Sequence, residues 1–220
     1  MENSIKHIIW DWNGTLLNDR SLALRAINIL LQRHALPEVN EEKYLEIFTF
    51  PVSDYYQKLG FDFNKTSFST IGTEFIQEYT ERMFTPNLHK NVISTLKYFN
   101  KLELSQSLLS AAKQQMLDRL ISHHQLNKYF VKVLGLDNHY ANSKLQIGKK
   151  WVDLLKCNRK EIIFIGDTLH DLDVANTLGA KCALIAHGHN SYQRLLGKGV
   201  PVFNNLLELK KWFAQINVKS

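Results

Sequence analysis

The sequence contains few of the residues that define several classes of protein. Only two of its 220 residues are cysteines, so it has no disulfide framework of the kind found in small secreted proteins. Apolar runs such as IIFI at 162–165 are far too short to cross a bilayer. The first ten residues lack the basic start and long apolar stretch of a secretory signal. We therefore expect a cytoplasmic protein with no membrane partner.

Basic and aromatic residues are not clustered, which argues against nucleic acid as a partner. The net charge of +6 is uneven, because residues 19–84 carry seven basic and ten acidic side chains, a balance of −3, against +9 in the remainder. A basic remainder can favour an anionic substrate. The same charges also fit an ordinary solvated surface, since they are spread along the chain. The oligomeric state is unknown at this stage.

Most of the chain alternates between short apolar runs and helical patterns. Strands are predicted at 5–10, 106–109, 131–134, 161–165, 182–186 and 201–203. Helices are predicted between and after them, at 92–99, 114–124, 148–155, 173–178 and 206–213. This alternation indicates an α/β fold with a doubly wound, mostly parallel sheet. Such sheets bind ligands beyond the carboxyl ends of their strands.

Residues 19–84 show helical patterns and no convincing strand. Helices are predicted from Ser21 to about His34 and over 66–83, where apolar residues recur at helical spacing. We therefore predict an α/β core formed by residues 1–18 and 85–220, with an inserted helical domain at 19–84.

Two acidic segments follow predicted strands. Asp11 ends the first strand and is followed by the turn residues Asn13 and Gly14 and then by Thr15. Asp167 follows the strand at 161–165, and a second carboxylate lies four residues later, at 171. A strand-end carboxylate can act as a nucleophile, and grouped carboxylates suit Mg²⁺. Local turn and cap chemistry is the simpler alternative for each segment.

Two further polar residues stand at positions that suit phosphate binding. Ser110 follows the strand at 106–109, where a hydroxyl and nearby N–H groups can contact phosphate oxygens. Lys144 can screen the repulsion between a carboxylate and a phosphate, although most lysines lie at the surface. Each of these residues is weak evidence alone.

Together the four segments resemble the haloacid dehalogenase (HAD) superfamily of aspartate-nucleophile hydrolases. The usual first motif of that superfamily is Asp-x-Asp-Gly-Thr, followed by a Ser or Thr, a Lys, and Gly-Asp-x-x-x-Asp. The helical insert stands where the superfamily places its smaller cap domain, and PVSDYYQKLGF at 51–61 resembles the cap of the phosphoglycolate phosphatase-type branch. The resemblance implies a Rossmann-like core and a phosphatase that acts on a small phosphorylated metabolite.

The resemblance also implies roles for individual residues. Asp11 would attack phosphorus and form an aspartyl-phosphate. Mg²⁺ would be held by Asp11, Asp167 and the backbone carbonyl of Asn13, with support from Asp171. The phosphoryl oxygens would be held by Gly14, Thr15, Ser110 and Lys144.

Position 13 departs from the family pattern, because Asn13 replaces the aspartate that acts as general acid and base. An amide does not titrate near neutral pH, and general acid–base catalysis contributes about a hundred- to ten-thousand-fold. We therefore expect an intact metal and phosphate site with slow turnover of poor leaving groups. The alternatives are a carbon–halogen hydrolase, which needs no leaving-group acid, and a catalytically weak protein that binds phosphate for regulation.

Two other features are ambiguous. His187 and His189 on a glycine loop are too few ligands to predict a metal site. Tyr55, Tyr56 and Lys58 of the insert are candidates for contact with substrate, but packing and solvation explain them equally well.

Overall fold

The computed structural model describes residues 4–136 and 142–217. Residues 1–3 and 218–220, the outer ends of the predicted core, and residues 137–141 lie outside the described part. The strands are β1 (His7–Trp10), β2 (Ser105–Lys113), β3 (Lys132–Leu136), β4 (Ile162–Gly166), β5 (Lys181–Ile185) and β6 (Val202–Phe203). The helices are α1 (Arg20–Arg33), α2 (Glu41–Ile47), α3 (Val52–Lys58), α4 (Phe68–Glu81), α5 (Val92–Lys101), α6 (Gln114–His123), α7 (Asn142–Leu154), α8 (Leu169–Leu178), α9 (Tyr192–Leu195) and α10 (Leu206–Asn217).

The six described strands form one parallel sheet in the order β3-β2-β1-β4-β5-β6. Helices cover both faces and bury two separate apolar clusters against them. All residues of β1 and β4 are buried, which explains why the runs Ile8–Trp10 and Ile162–Ile165 are apolar without alternation; His7 is the one polar side chain in these two strands. The predicted α/β fold with a doubly wound parallel sheet is confirmed.

The strand order creates a switch point between β1 and β4. The chain moves from β1 outward through β2 and β3, then returns to the other side of β1 to begin β4. The backbone N–H of Asp11 donates to the carbonyl of Ile165 at 2.8 Å, so the carboxyl ends of these two strands lie side by side. Binding sites of doubly wound sheets form at such points.

The four helices α1 to α4 bury an apolar cluster of their own, which includes Ile27, Tyr44, Tyr56 and Ile71. We call residues 19–84 the cap, and the predicted division at 18/19 and 84/85 stays a prediction. No described helix combines the length and apolar character that a membrane span requires.

Three predicted boundaries were wrong in ways that affect the site. Strand β2 does not end before Ser110 but continues to Lys113, through an irregularity in its pairing with β3. Helix α7 begins at Asn142 rather than at 148, so Lys144 lies on a helix. Helix α8 begins at Leu169 rather than at 173, because a capping box formed by Thr168 and Asp171 starts it earlier.

Candidate active site

Three carboxylates meet at the switch point. Oxygens of Asp11, Asp167 and Asp171 lie within 4.8 Å of one another, and all three side chains are buried. Asp11 directly follows β1, Asp167 follows β4, and Asp171 lies in the first turn of α8. The fold therefore brings together the two acidic segments that the sequence separates by about three quarters of its length.

Lys144 is the cation of this cluster. Its Nζ lies 2.6 Å from Oδ1 of Asp11 and 2.8 Å from Oδ1 of Asp171, and only 2% of the residue is exposed. Although burial lowers the pKa of this lysine, the two carboxylates outweigh burial and raise it, so Lys144 stays charged. One ammonium thus faces three carboxylates.

The pKa values of the acids reflect this imbalance. Burial raises the pKa of Asp11 to about 8; Lys144 opposes this shift, and the other two carboxylates reinforce it. Burial likewise raises the pKa of Asp167 to about 6 against the opposing effect of His189. In Asp171 the pKa is lowered: burial raises it, but Lys144, His170 and the hydrogen bonds from Lys144 and Thr168 together outweigh burial. A hard divalent cation would neutralise this excess of oxygen charge, and the donor set therefore fits one.

Asp171 combines this position with a structural role. Its Oδ2 accepts hydrogen bonds from the backbone N–H groups of Asp167 and Thr168 and from the hydroxyl of Thr168. The turn and cap chemistry considered as an alternative is therefore present, but it occupies only one oxygen. The other oxygen faces Lys144, so capping and site chemistry coexist in one side chain.

Thr15 and Gly14 line the same cluster from the turn after β1. The hydroxyl of Thr15 donates to Oδ1 of Asp167 at 2.8 Å and lies 3.3 Å from Oδ2 of Asp11. Gly14 has a φ of 75°, and a Cβ there would overlap the side chains of Asp167 and His189. Its N–H donates to Asp19 at 2.8 Å. This arrangement does not support the predicted contact of the Gly14 N–H with phosphate.

Ser110 is buried in β2, next to the cluster. Its Oγ accepts a hydrogen bond from the N–H of Ala112 at 3.0 Å, which leaves its own O–H as a donor. Ser110, Asp11 and Lys144 all line one cavity of about 240 Å³ between the sheet edge and the cap. The predicted site residues on β2 and α7 are therefore placed together with the acids.

The side chain of Asn13 is hydrogen-bonded to Asp19, a residue that the sequence pattern does not single out. Its Nδ2 donates to Oδ2 of Asp19 at 2.7 Å and to the hydroxyl of Tyr79 at 2.9 Å. The hydroxyl of Tyr79 in turn donates to Oδ2 of Asp19 at 2.7 Å. A carboxylate can only accept, so the amide nitrogen must face it. The side chain of Asn13 is thus fixed by two residues of the cap.

His189 is the second missed residue. Its backbone N–H donates to Oδ2 of Asp167 at 2.6 Å. Its ring lies between Oδ1 of Asp19, 3.3 Å from Nε2, and the hydroxyl of Tyr44, 2.8 Å from Nδ1. Burial lowers its pKa, but Asp19, with smaller contributions from Asp167 and Asp11, outweighs burial and raises it to about 9. The same pairing lowers the pKa of Asp19 despite burial. His189 therefore links the cap to a candidate metal ligand.

Little in the sequence could have revealed these two residues. Asp19 lies just before a helix, where an ordinary N-cap is expected, yet its side chain makes no cap hydrogen bond. His189 lies on a glycine loop, a pattern that suggests a metal ligand and not a partner for Asp19. Of the three ambiguous cap residues, Tyr55 and Tyr56 line the cavity, and Lys58 is exposed and does not.

Comparison with known proteins identifies the family. A model of haloacid dehalogenase-like hydrolases matches residues 8–185. The chain belongs to this family. A phosphoglycolate phosphatase from Aliivibrio fischeri is 22% identical over 200 residues, which cover 86% of this chain and 88% of that protein. A Caldanaerobacter subterraneus protein, provisionally named pyrophosphatase PpaX, is 19% identical over 182 residues, with 82% and 81% covered.

The fold is shared with solved members of the same family. A haloacid dehalogenase-like hydrolase from Streptococcus pneumoniae superposes with a TM-score of 0.82 at 16% identity, covering 95% of this chain and 98% of that one. The predicted membership in the HAD superfamily and the predicted class of enzyme, a hydrolase, are thereby confirmed. The buried acidic triad is suited to the divalent metal that HAD phosphatases generally use.

Proposed function

We propose that this HAD-like hydrolase is a Mg²⁺-dependent phosphatase of a small phosphorylated metabolite, with Asp11 as its nucleophile. The main support is the position of Asp11 at the switch point. It contacts Lys144 at 2.6 Å, belongs to the acidic triad and lines the cavity between the sheet edge and the cap. A nucleophile, a cation and a hard metal-binding set around one cavity suit phosphoryl transfer.

The proposed metal ligands are supported by the acidic triad and, for the backbone carbonyl of Asn13, by the resemblance to the family. Asp11, Asp167 and the backbone carbonyl of Asn13 would hold Mg²⁺, and Asp171 would support it. Bound there, the ion would neutralise charge on the phosphoryl group. The hydroxyl of Thr15 orients Asp167 through its 2.8 Å hydrogen bond.

The reaction proceeds in two steps on Asp11. A carboxylate oxygen attacks phosphorus, the bond from phosphorus to the leaving-group oxygen breaks, and an aspartyl-phosphate forms. Water then attacks this acyl phosphate and releases inorganic phosphate, which restores the carboxylate. Ser110 and Lys144 would donate hydrogen bonds to the phosphoryl oxygens during both steps.

Asn13 limits the first step. It carries no titrating proton, and its amide hydrogens are directed to Asp19 and Tyr79. The departing oxygen therefore takes its proton from water, so turnover of alkyl phosphates is slow.

The proposal is tested by phosphate release from acetyl phosphate, with and without Mg²⁺. Wild-type protein and an Asp173→Asn control, changed at an exposed residue of α8, should release phosphate only with the metal. Asp11→Asn should lower the rate at least about a thousandfold. Mass spectrometry of rapidly quenched protein should detect one added phosphoryl group on Asp11. Full activity in Asp11→Asn would refute the assignment of the nucleophile.

The hydrogen bonds of Asn13 favour a second candidate, a phosphate-binding or regulatory protein with negligible catalysis. It predicts Mg²⁺-dependent binding of phosphate in calorimetry, with no turnover of acetyl phosphate. Carbon–halogen hydrolysis is disfavoured, because that chemistry has no use for three grouped carboxylates; metal-independent halide release from a 2-haloacid would support it instead.

A further inference from the structure

The cavity above Asp11 has two chemically different ends. The core end carries the polar residues Asp11, Ser110 and Lys144. The cap end is formed mainly by aromatic and aliphatic side chains. Six of its aromatic residues are Tyr44, Phe48, Phe50, Tyr55, Phe68 and Phe75. A substrate whose phosphoryl group lies on Asp11 places its leaving group against this apolar end.

The cap end has no cation for an acidic leaving group. All residues of the cap are described, and no lysine or arginine among them lines the cavity. Its one ionised residue is Asp19, which is bonded to Asn13, Tyr79 and His189. On the core side, three described cationic residues line the cavity. Lys144 is paired with the acid cluster, His189 is paired with Asp19, and Lys113 is exposed. A carboxylate held against the apolar cap end would therefore be desolvated with no cap cation to pair with, and Lys113 would be the one described lining cation not already paired with an acid of the site.

Gly72 gives the cavity room for a ring. It lies inside helix α4, where glycine is unfavourable relative to alanine, and it lines the cavity. A Cβ at this position would meet no atom within 4 Å, so packing does not require glycine. The cavity of about 240 Å³ exceeds the roughly 150 Å³ in which an apolar cavity holds benzene.

Tyr55 supplies a polar group without a partner. It is 2% exposed, lines the cavity, and its hydroxyl has no hydrogen-bond partner among the described residues. A buried hydroxyl that lacks a partner is unfavourable. Because the hydroxyl oxygen is itself inaccessible, a hydrogen-bonding substituent on a bound ring would satisfy it only after a small displacement of the Tyr55 side chain.

The chemistry at Asn13 selects the same kind of leaving group. A phenol titrates near 10, as the tyrosine side chain does, so a phenolate departs with little need of a proton. An alkoxide such as that of glycolate needs the general acid that Asn13 cannot provide. Cavity lining and missing acid are independent observations, and both favour an aryl leaving group.

We infer that the substrate is the phosphate monoester of an uncharged, single-ring phenol, with its ring between Gly72 and the aromatic side chains of the cap. This inference rests on the proposed phosphatase function and names its substrate class. It differs from phosphoglycolate, whose leaving group carries a carboxylate and no ring.

The test compares four substrates with Mg²⁺: acetyl phosphate, phenyl phosphate, 4-carboxyphenyl phosphate and 2-phosphoglycolate. Wild-type protein should hydrolyse phenyl phosphate with a kcat/KM at least about tenfold above that for 4-carboxyphenyl phosphate, because the buried carboxylate is unpaired. The intrinsic order is the reverse, since the carboxyphenol is the better leaving group. Phosphoglycolate should be the poorest of the four.

Gly72→Leu tests the position of the ring, with Thr70→Leu as a control on an exposed residue of the same helix. Leucine favours helix over glycine, so Gly72→Leu should melt no lower than wild type. It should lower kcat/KM for phenyl phosphate about tenfold or more, mainly through KM, and leave acetyl phosphate within about twofold. Thr70→Leu should match wild type on both substrates.

The outcomes separate the two proposals. No turnover of acetyl phosphate would refute the proposed phosphatase function. Turnover of acetyl phosphate with a preference for phosphoglycolate or 4-carboxyphenyl phosphate, or with Gly72→Leu unchanged on phenyl phosphate, would overturn the substrate class alone. Loss of the phosphoglycolate preference in Lys113→Ala would identify Lys113 as the carboxylate partner and would also overturn it.

Discussion

Nδ2 of Asn13 lies 2.7 Å from Oδ2 of Asp19. This hydrogen bond favours an amide over a carboxylate at position 13, where the family usually has its acid/base aspartate. An amide donates to Asp19, whereas an ionised aspartate at position 13 would repel it. Restoring the usual aspartate of the family by one substitution therefore places two carboxylates in contact. The pair should be changed together.

Asn13→Asp alone should lower the free energy of unfolding by about 1–3 kcal/mol, because it replaces a buried hydrogen bond by repulsion. Asn13→Asp with Asp19→Asn should recover most of this loss and raise turnover of an alkyl phosphate by about a hundredfold. Urea unfolding and phosphate release measure the two effects. Asn18→Asp makes the same change of charge at an exposed neighbour and serves as the control. A double variant as unstable as Asn13→Asp would contradict this pairing.

Mg²⁺ should stabilise the fold through the acidic triad. At a concentration of about 100 times Kd, a bound ligand adds about 2.7 kcal/mol, so the melting temperature of wild type should rise by several degrees. Asp167→Asn should abolish the rise, since it removes one of three grouped carboxylates, while Asp173→Asn should keep it. Differential scanning calorimetry with and without Mg²⁺ measures both. An undiminished rise in Asp167→Asn would place the metal elsewhere.

Lys144→Met should abolish phosphatase activity and destabilise the fold. It leaves Asp11 and Asp171 without their buried cation, and breaking a buried pair costs about 3–5 kcal/mol. Lys150→Met alters an exposed lysine of the same helix and should change neither property. Thermal unfolding and phosphate release distinguish them, and a Lys144→Met protein with wild-type turnover would remove Lys144 from the site.

His7 should make stability depend on pH. It is buried between the hydroxyls of Ser105 and Ser107, and burial lowers its pKa to about 4 from an ordinary 6.5. The unfolded chain therefore binds the proton more readily. The contribution of neutral His7 is complete above pH 6.5 and is lost as the pH falls towards 4, by up to about 3 kcal/mol.

Urea unfolding at pH 7.5 and 4.5 measures this effect. The loss of stability between these values should be smaller in His7→Gln than in wild type, while His123→Gln, at an exposed position, should follow wild type. Equal losses in His7→Gln and wild type would show that His7 does not titrate with unfolding.

The fold was predictable because its evidence is local. The buried central strands consist almost entirely of apolar residues, and the polar residues Asp11 and Asp167 follow their ends. Element boundaries were less predictable. Helix α8 begins earlier than its apolar pattern, because the capping pair Thr168 and Asp171 starts it, and Lys144 lies on an extension of α7 that carries little apolar signal.

The sequence by itself indicated the family and the parallel sheet, and it placed Asp11 and Asp167 at one edge, because parallel strands bring their carboxyl ends together. The resemblance to the HAD superfamily added Asp171, Ser110 and Lys144 to that group. The sequence also showed that Asn13 lacks the proton of an acid. Only the tertiary structure decided which residues surround that amide and what the cap presents to a substrate. Asp19 and His189 lie 170 positions apart and meet only when the cap packs against the core. The apolar space at Gly72 also forms only when the cap packs against the core. A helical pattern shows which residues share a face of the helix, but not which face stays uncovered in the folded protein.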